Sequence, residues 1–134
     1  ENLTSYYDAF KITNDIRNKG DITTFVYEFL NIVYKAYEKT EMYTLSKKSE
    51  LESYLCKIDE LKLSKNNTSV LQILLQAELF SEHGVTVLDL VNNLGLSDST
   101  CRKVLDYLIE NNYATEKYIG KKKYYSANLE MLND

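Results

Sequence analysis

VTVLDLVNNLGLSDSTCRKVLDYLIENNYATEKYIGKKKYY, residues 85–125, is the stretch on which the fold turns. Thr86 is a good N-cap, and Val87, Leu90, Val91 and Leu94 follow it at helical spacing. Asp89, three residues after Thr86, completes an approximate capping box with Asp in place of the usual Glu. Gly95 permits a tight turn, and Ser97 opens a second helix whose apolar stripe is Cys101, Val104, Leu105 and Leu108. Ser99, Arg102, Lys103 and Asp106 are left facing outward. Two short helices joined this way predict a helix-turn-helix, with the second helix in the recognition position. Past Asn111 and Asn112 the period shortens to that of strands: one over 113–118, a turn at Ile119-Gly120-Lys121, and one over 122–127. A hairpin behind a recognition helix is a wing, so residues 66–128 read as a winged helix.

The rest of the chain sets the frame around this module. Its 134 residues have room for one ordinary domain or two small ones, and 44% apolar composition with mixed charge fits a folded protein of the cytoplasm. No window is apolar enough to span a membrane, and Glu1-Asn2-Leu3-Thr4 lacks the basic and apolar regions of a signal peptide. The first residue is not Met, which leads us to expect a piece of a longer protein. Proline is absent and there are four glycines, a composition that favours long helices. Cys56 and Cys101 each sit inside a helical pattern and are expected to be small buried residues in a reducing environment. The single histidine, His83, cannot assemble the usual zinc ligand set, and a solvated turn is its expected place.

Upstream, a helix is expected over 3–18 with Tyr6, Tyr7, Phe10, Ile12 and Ile16 inward and Gly20 closing it. Asp21 is a natural N-cap for a much longer helix, in which Ile22, Phe25, Val26, Phe29, Leu30, Val33, Ala36 and Tyr37 repeat at three and four. The stripe weakens over 42–49 and resumes with Leu51, Tyr54, Leu55, Ile58 and Leu61. Either one helix of about ten turns or two with a kink near Ser46 satisfies that pattern. The polar run Ser64-Lys65-Asn66-Asn67-Thr68 marks the expected boundary between a helical segment, 1–63, and the winged helix, 66–134. The expected fold is therefore mainly α, a helical segment with one long helix, followed by a winged helix-turn-helix with a small antiparallel hairpin.

Three of these motifs, in order, resemble the C-terminal part of the Fic (filamentation-induced-by-cAMP) family. They are Tyr6-Tyr7-Asp8-Ala9-Phe10, then Gly20-Asp21, then Phe25-Val26-Tyr27-Glu28-Phe29-Leu30, and many Fic proteins end in a winged helix as well. The resemblance implies a bacterial parent that transfers AMP from ATP, with a divalent metal, to a hydroxyl on a target protein. That chemistry depends on a His-Pro-Phe-x-Asp/Glu-Gly-Asn-Gly-Arg signature, whose glycine-rich turn holds phosphates at a helix N-terminus. This chain departs from the family here: His83-Gly84-Val85-Thr86 is not followed by such a loop. The signature is expected upstream of residue 1. The chain itself is therefore expected to be a non-catalytic binding module with no cofactor of its own.

The residues predicted to meet DNA are Ser99, Arg102 and Lys103 on the recognition helix and Lys117, Lys121, Lys122 and Lys123 on the wing. Against this stands the charge. After Lys65 there are six basic and nine acidic residues, so the winged helix carries −3 within a chain of net −4. Asp98, Asp106, Glu110 and Glu116 lie in or beside the same surface, and phosphate neutralisation is what drives nonspecific affinity. The competing expectations are a winged helix that docks on a protein, including the parent's own catalytic domain, and lysines that merely guard a strand edge. Tyr113, Tyr118, Tyr124 and Tyr125 could stack unpaired bases, but tyrosines on a hairpin more often cover a core with one face. The remaining alternative is a standalone transcriptional regulator that forms a homodimer through its helical half.

Overall fold

The computed structural model describes residues 2–133, without the side chains of Asn2 and Asn133. It is mainly helical, with one two-stranded antiparallel sheet. The chain forms two compact units, Glu1–Ser46 and Lys47–Asp134, and the division falls inside one helix.

In the first unit, helix α1 covers Asn2–Asn14 and stops short of the expected residue 18. Asp15 ends it. Its extended backbone (ψ 127°) begins a 3-10 turn, Ile16–Asn18, and its carboxylate accepts the Arg17 N–H at 2.8 Å and the Arg17 guanidinium at 2.6 and 3.0 Å. A local carboxylate offered the backbone an alternative to the helix ladder. Lys19 (φ 51°) then closes the turn, with Gly20 (φ 79°) after it, so Gly20 does not cap the helix as expected. Tyr7, Phe10, Ile12 and Ile16, expected inward, are all exposed, from 48% for Phe10 to 93% for Ile16. Among the described residues of α1, Ala9 alone is buried. Tyr6 and Phe10 meet Phe25 edge-on, with ring centroids 5.6 and 6.0 Å away.

Helix α2 runs unbroken over Thr23–Glu60, and the Asp21 side chain accepts the Thr23 N–H at 2.8 Å. Of the two expected alternatives, one helix is found and not two. Thr40 and Thr44 return their hydroxyls to the carbonyls of Ala36 and Thr40 at 2.8 Å, so the weak stretch keeps its ladder and satisfies both hydroxyls. Cys56, expected to be buried, faces solvent on α2 because it falls between the inward positions Tyr54 and Ile58.

The second unit holds the main core. Tyr54 and Ile58 of α2 join helix α3, Lys65–Phe80, whose N-cap Ser64 accepts the Asn67 N–H. Val70, Leu71, Leu74 and Leu75 of α3 are wholly inaccessible to solvent. Helix α4, Val87–Leu94, starts on the expected capping box and ends at Gly95 with φ 65°. Helix α5, Asp98–Glu110, starts at Ser97 and buries Cys101, Val104, Leu105 and Leu108, the four residues of the expected stripe. Strands β1, Ala114–Ile119, and β2, Lys122–Ala127, pair from Ala114↔Ala127 to Ile119↔Lys122. Gly120 (φ 61°) gives this two-residue turn the positive φ it needs at its first central position. A short helix α6, Leu129–Asn133, follows, and its Leu132 is buried.

One further contact fixes the hairpin. Val85, just before α4, bridges to Tyr125 through N–H···O bonds of 2.9 and 2.8 Å in both directions. Gly84 makes room for it: a Cβ there would lie 2.5 Å from the Tyr125 carbonyl oxygen and 2.6 Å from Ser126 Oγ. The base of the hairpin, Ala114 with Tyr125 to Ala127, is buried, while the tip stands in solvent. No helix among the described residues is long and apolar enough to cross a membrane.

Candidate nucleic-acid interface

Docking β2 against Val85 brings this strand beside the N-terminal ends of α4 and α5. Between them lies an open groove of about 360 Å³, lined by Thr86, Val87, Leu88, Asp98, Arg102, Lys122, Lys123 and Tyr125. Three of the sequence-predicted residues, Arg102, Lys122 and Lys123, meet here. The other four do not line it, and by the strand alternation Lys117 lies on the hairpin face opposite Lys123 and Tyr125. Ser99 lies in the exposed first turn of α5, with its hydroxyl 3.0 Å from that of the cap, Ser97. Lys103 is exposed one residue further round α5, Lys117 pairs opposite Tyr124 in the sheet, and Lys121 sits at the hairpin turn.

Two of the six cations are already engaged. Arg102 Nε lies 2.6 Å from Asp98 Oδ1 and its Nη2 lies 3.2 Å from Oδ2, a two-point pair along one helical turn. The Asp98 carboxylate raises the guanidinium pKa above its ordinary value. Lys123 Nζ lies 2.5 Å from Glu116 on the neighbouring strand, and that carboxylate raises the ammonium pKa likewise. The same ammonium lies 5.6 and 5.5 Å from the ring centres of Tyr118 and Tyr125. Lys103, Lys117, Lys121 and Lys122 form no ion pair among the described residues. At the rim, the Asp89 carboxylate accepts the Thr86 N–H at 2.8 Å and its hydroxyl at 2.7 Å, which holds its pKa below the usual range; Lys122 adds a smaller pull.

The tyrosines divide. Tyr125 is buried in the core and Tyr113 is half-buried against it, as expected of core-covering rings. Tyr118 is 69% exposed, and Tyr124, half-buried, meets exposed His83 edge-on at 6.1 Å. Among the described residues, no group of three or more His, Cys, Asp and Glu side chains is placed to hold a metal ion.

Sequence reasoning did not foresee Thr86, Val87 and Leu88 as groove wall. The Asp98–Arg102 pair was within its reach, because i,i+4 spacing on a helix places those groups together. Glu116 and Lys123 were beyond it, since their pairing depends on hairpin register. Comparison with protein-family models, curated proteins and solved structures finds no match to this chain.

Proposed function

We propose that α3, α4, α5 and the β1–β2 hairpin form a winged helix-turn-helix that binds duplex DNA, with α5 as recognition helix and the hairpin as wing. The observation that carries this reading is the single concave surface shared by Arg102 of α5 and Lys122 and Lys123 of β2. The exposed first turns of α5, with Ser99, Arg102 and Lys103, suit a major groove, while Lys117 and Lys121 suit flanking phosphates. The four cations outside ion pairs give a salt slope of about −3.6, against about −5.4 for all six. In the same proposal the chain is the non-catalytic C-terminal part of a cytoplasmic, bacterial Fic-like protein, on the strength of the motif order from Tyr6 to Leu30. The AMP-transferring part, with its ATP and metal, lies outside these residues.

The test is fluorescence anisotropy of the chain with duplex DNA from its own upstream region, across a salt series, with a random duplex beside it. Binding should saturate and strengthen at low salt. The Lys121→Ala, Lys122→Ala, Lys123→Ala variant should bind more weakly, with a slope shallower by about 1.8, because Lys123 is already neutralised. Absence of binding at low salt overturns the reading. A second reading then leads, in which the groove docks on a protein segment and positions the parent's catalytic domain. It is favoured by Leu88, 66% exposed on the groove wall, and by the neutralised state of Arg102 and Lys123.

A further inference from the structure

Asp98 and Arg102 both line the groove, with side chains 60% and 59% exposed, so the pair is open to whatever enters. Arg102 Nε donates to Asp98 Oδ1 at 2.6 Å, and its Nη2 donates to Oδ2 at 3.2 Å. A guanidinium carries five N–H donors in one plane, and this pairing takes the Nε–H and one Nη2–H. The other Nη2–H and the Nη1 hydrogens remain. One from each nitrogen points along the guanidinium axis, which makes a two-pronged donor edge with no acceptor. Because Asp98 grips the opposite side of the fork, the plane of that edge is set before a ligand arrives. Arg102 also lies near the N-terminal end of α5, the part of a recognition helix that reaches base edges.

Charge and donor pattern together decide what suits this edge. A phosphate is held largely through net charge, by releasing counterions, and Asp98 has already neutralised the guanidinium. Asp106, further along α5, adds a weaker negative field at the same group. Lys103, Lys121 and Lys122, which form no ion pair among the described residues, are the better phosphate ligands. The donor edge, by contrast, survives neutralisation. In the major groove guanine alone sets two acceptors, N7 and O6, side by side on one base. Adenine places a donor beside its N7, thymine a methyl beside its O4, and cytosine offers a donor. We infer that Arg102 reads a guanine in the major groove, with Asp98 as the residue that positions it, while the unpaired lysines hold phosphate. This inference rests on the DNA-binding reading above and adds to it the base that is read.

The test is selection of bound duplexes at low salt from a pool randomised over its central base pairs. Anisotropy titration follows, on the selected duplex and on one with the guanine pair replaced by an adenine pair. The parent chain should select a guanine position that Arg102→Ala relaxes. Arg102→Ala should lose about 10–100-fold on the guanine duplex, bind both duplexes equally and keep the parent's salt slope. Asp98→Asn should cut the guanine preference about 10-fold and steepen the slope by up to about 0.9, because it frees the guanidinium charge. A merely structural charge at the helix end would leave base preference unmoved. Both side chains are exposed, so helicity by circular dichroism should persist in each variant. A parent chain that binds no duplex overturns the DNA reading and this inference with it. If Arg102→Ala instead weakens both duplexes equally, with a slope shallower by about 0.9, the DNA reading stands and Arg102 is a phosphate contact, which overturns the inference. The absence of a selected guanine, or a guanine preference undiminished in Asp98→Asn, overturns it as well.

Discussion

A charged residue on the groove matters less for its sign than for whether its charge is already spent within the chain. Arg102 and Lys123 look alike in the sequence with Lys103 and Lys121, yet only the first two have carboxylates within 2.6 Å. On the proposed DNA-binding reading, Glu116→Gln should therefore release Lys123 and steepen the salt slope by about 0.9, with tighter binding at low salt, measured by the same anisotropy titration. An unchanged slope would show that Lys123 does not reach phosphate. A second residue-scale prediction concerns Gly84. Its φ is 77°, and an alanine methyl there would stand 2.5 Å from the Tyr125 carbonyl oxygen, so no strain-free alanine fits. Gly84→Ala should cost about 1–3 kcal/mol in urea unfolding and loosen the Val85–Tyr125 bridge, visible as faster amide exchange at those two residues.

At the scale of the element, α4 depends on its first turn. Thr86 and Asp89 satisfy each other's backbone N–H groups, with Asp89 N 3.3 Å from the Thr86 hydroxyl, so Thr86→Ala should cost about 1 kcal/mol. The Asp89 carboxyl has its pKa lowered on folding, chiefly by the Thr86 bonds. Its stabilising contribution is complete above the unfolded-state pKa near 3.8 and disappears as pH falls through the lower folded value. Asp89→Asn should accordingly be less stable than the parent chain at neutral pH, and the gap should narrow in acid; a gap that persists unchanged would assign the effect to packing. These elements were readable in the sequence because their signals are local: the Thr86 cap, Gly95, Ser97, and the change of period after Asn112. The end of α1 was harder, because Asp15 and Arg17 close a turn by side-chain bonds that apolar periodicity does not register. Periodicity also shows which side of a helix seeks cover without showing what covers it, hence Tyr7, Phe10 and Ile16 in solvent. The groove belongs to the same class, since it exists only once Val85 has docked on Tyr125.

For the whole molecule, the decisive fact is that, among the described residues, the members of the main core and the residues packed on it begin at Leu51. Residues 47–134 should therefore fold alone, with cooperative urea unfolding, even though the cut falls inside α2. On the proposed DNA-binding reading, that fragment keeps the four cations outside ion pairs and should follow the same salt slope as the full chain, about −3.6, in the anisotropy titration. A distinctly shallower slope for the fragment would assign part of the binding to residues before Lys47, and that outcome would overturn the placement of the whole interface on α5 and the hairpin.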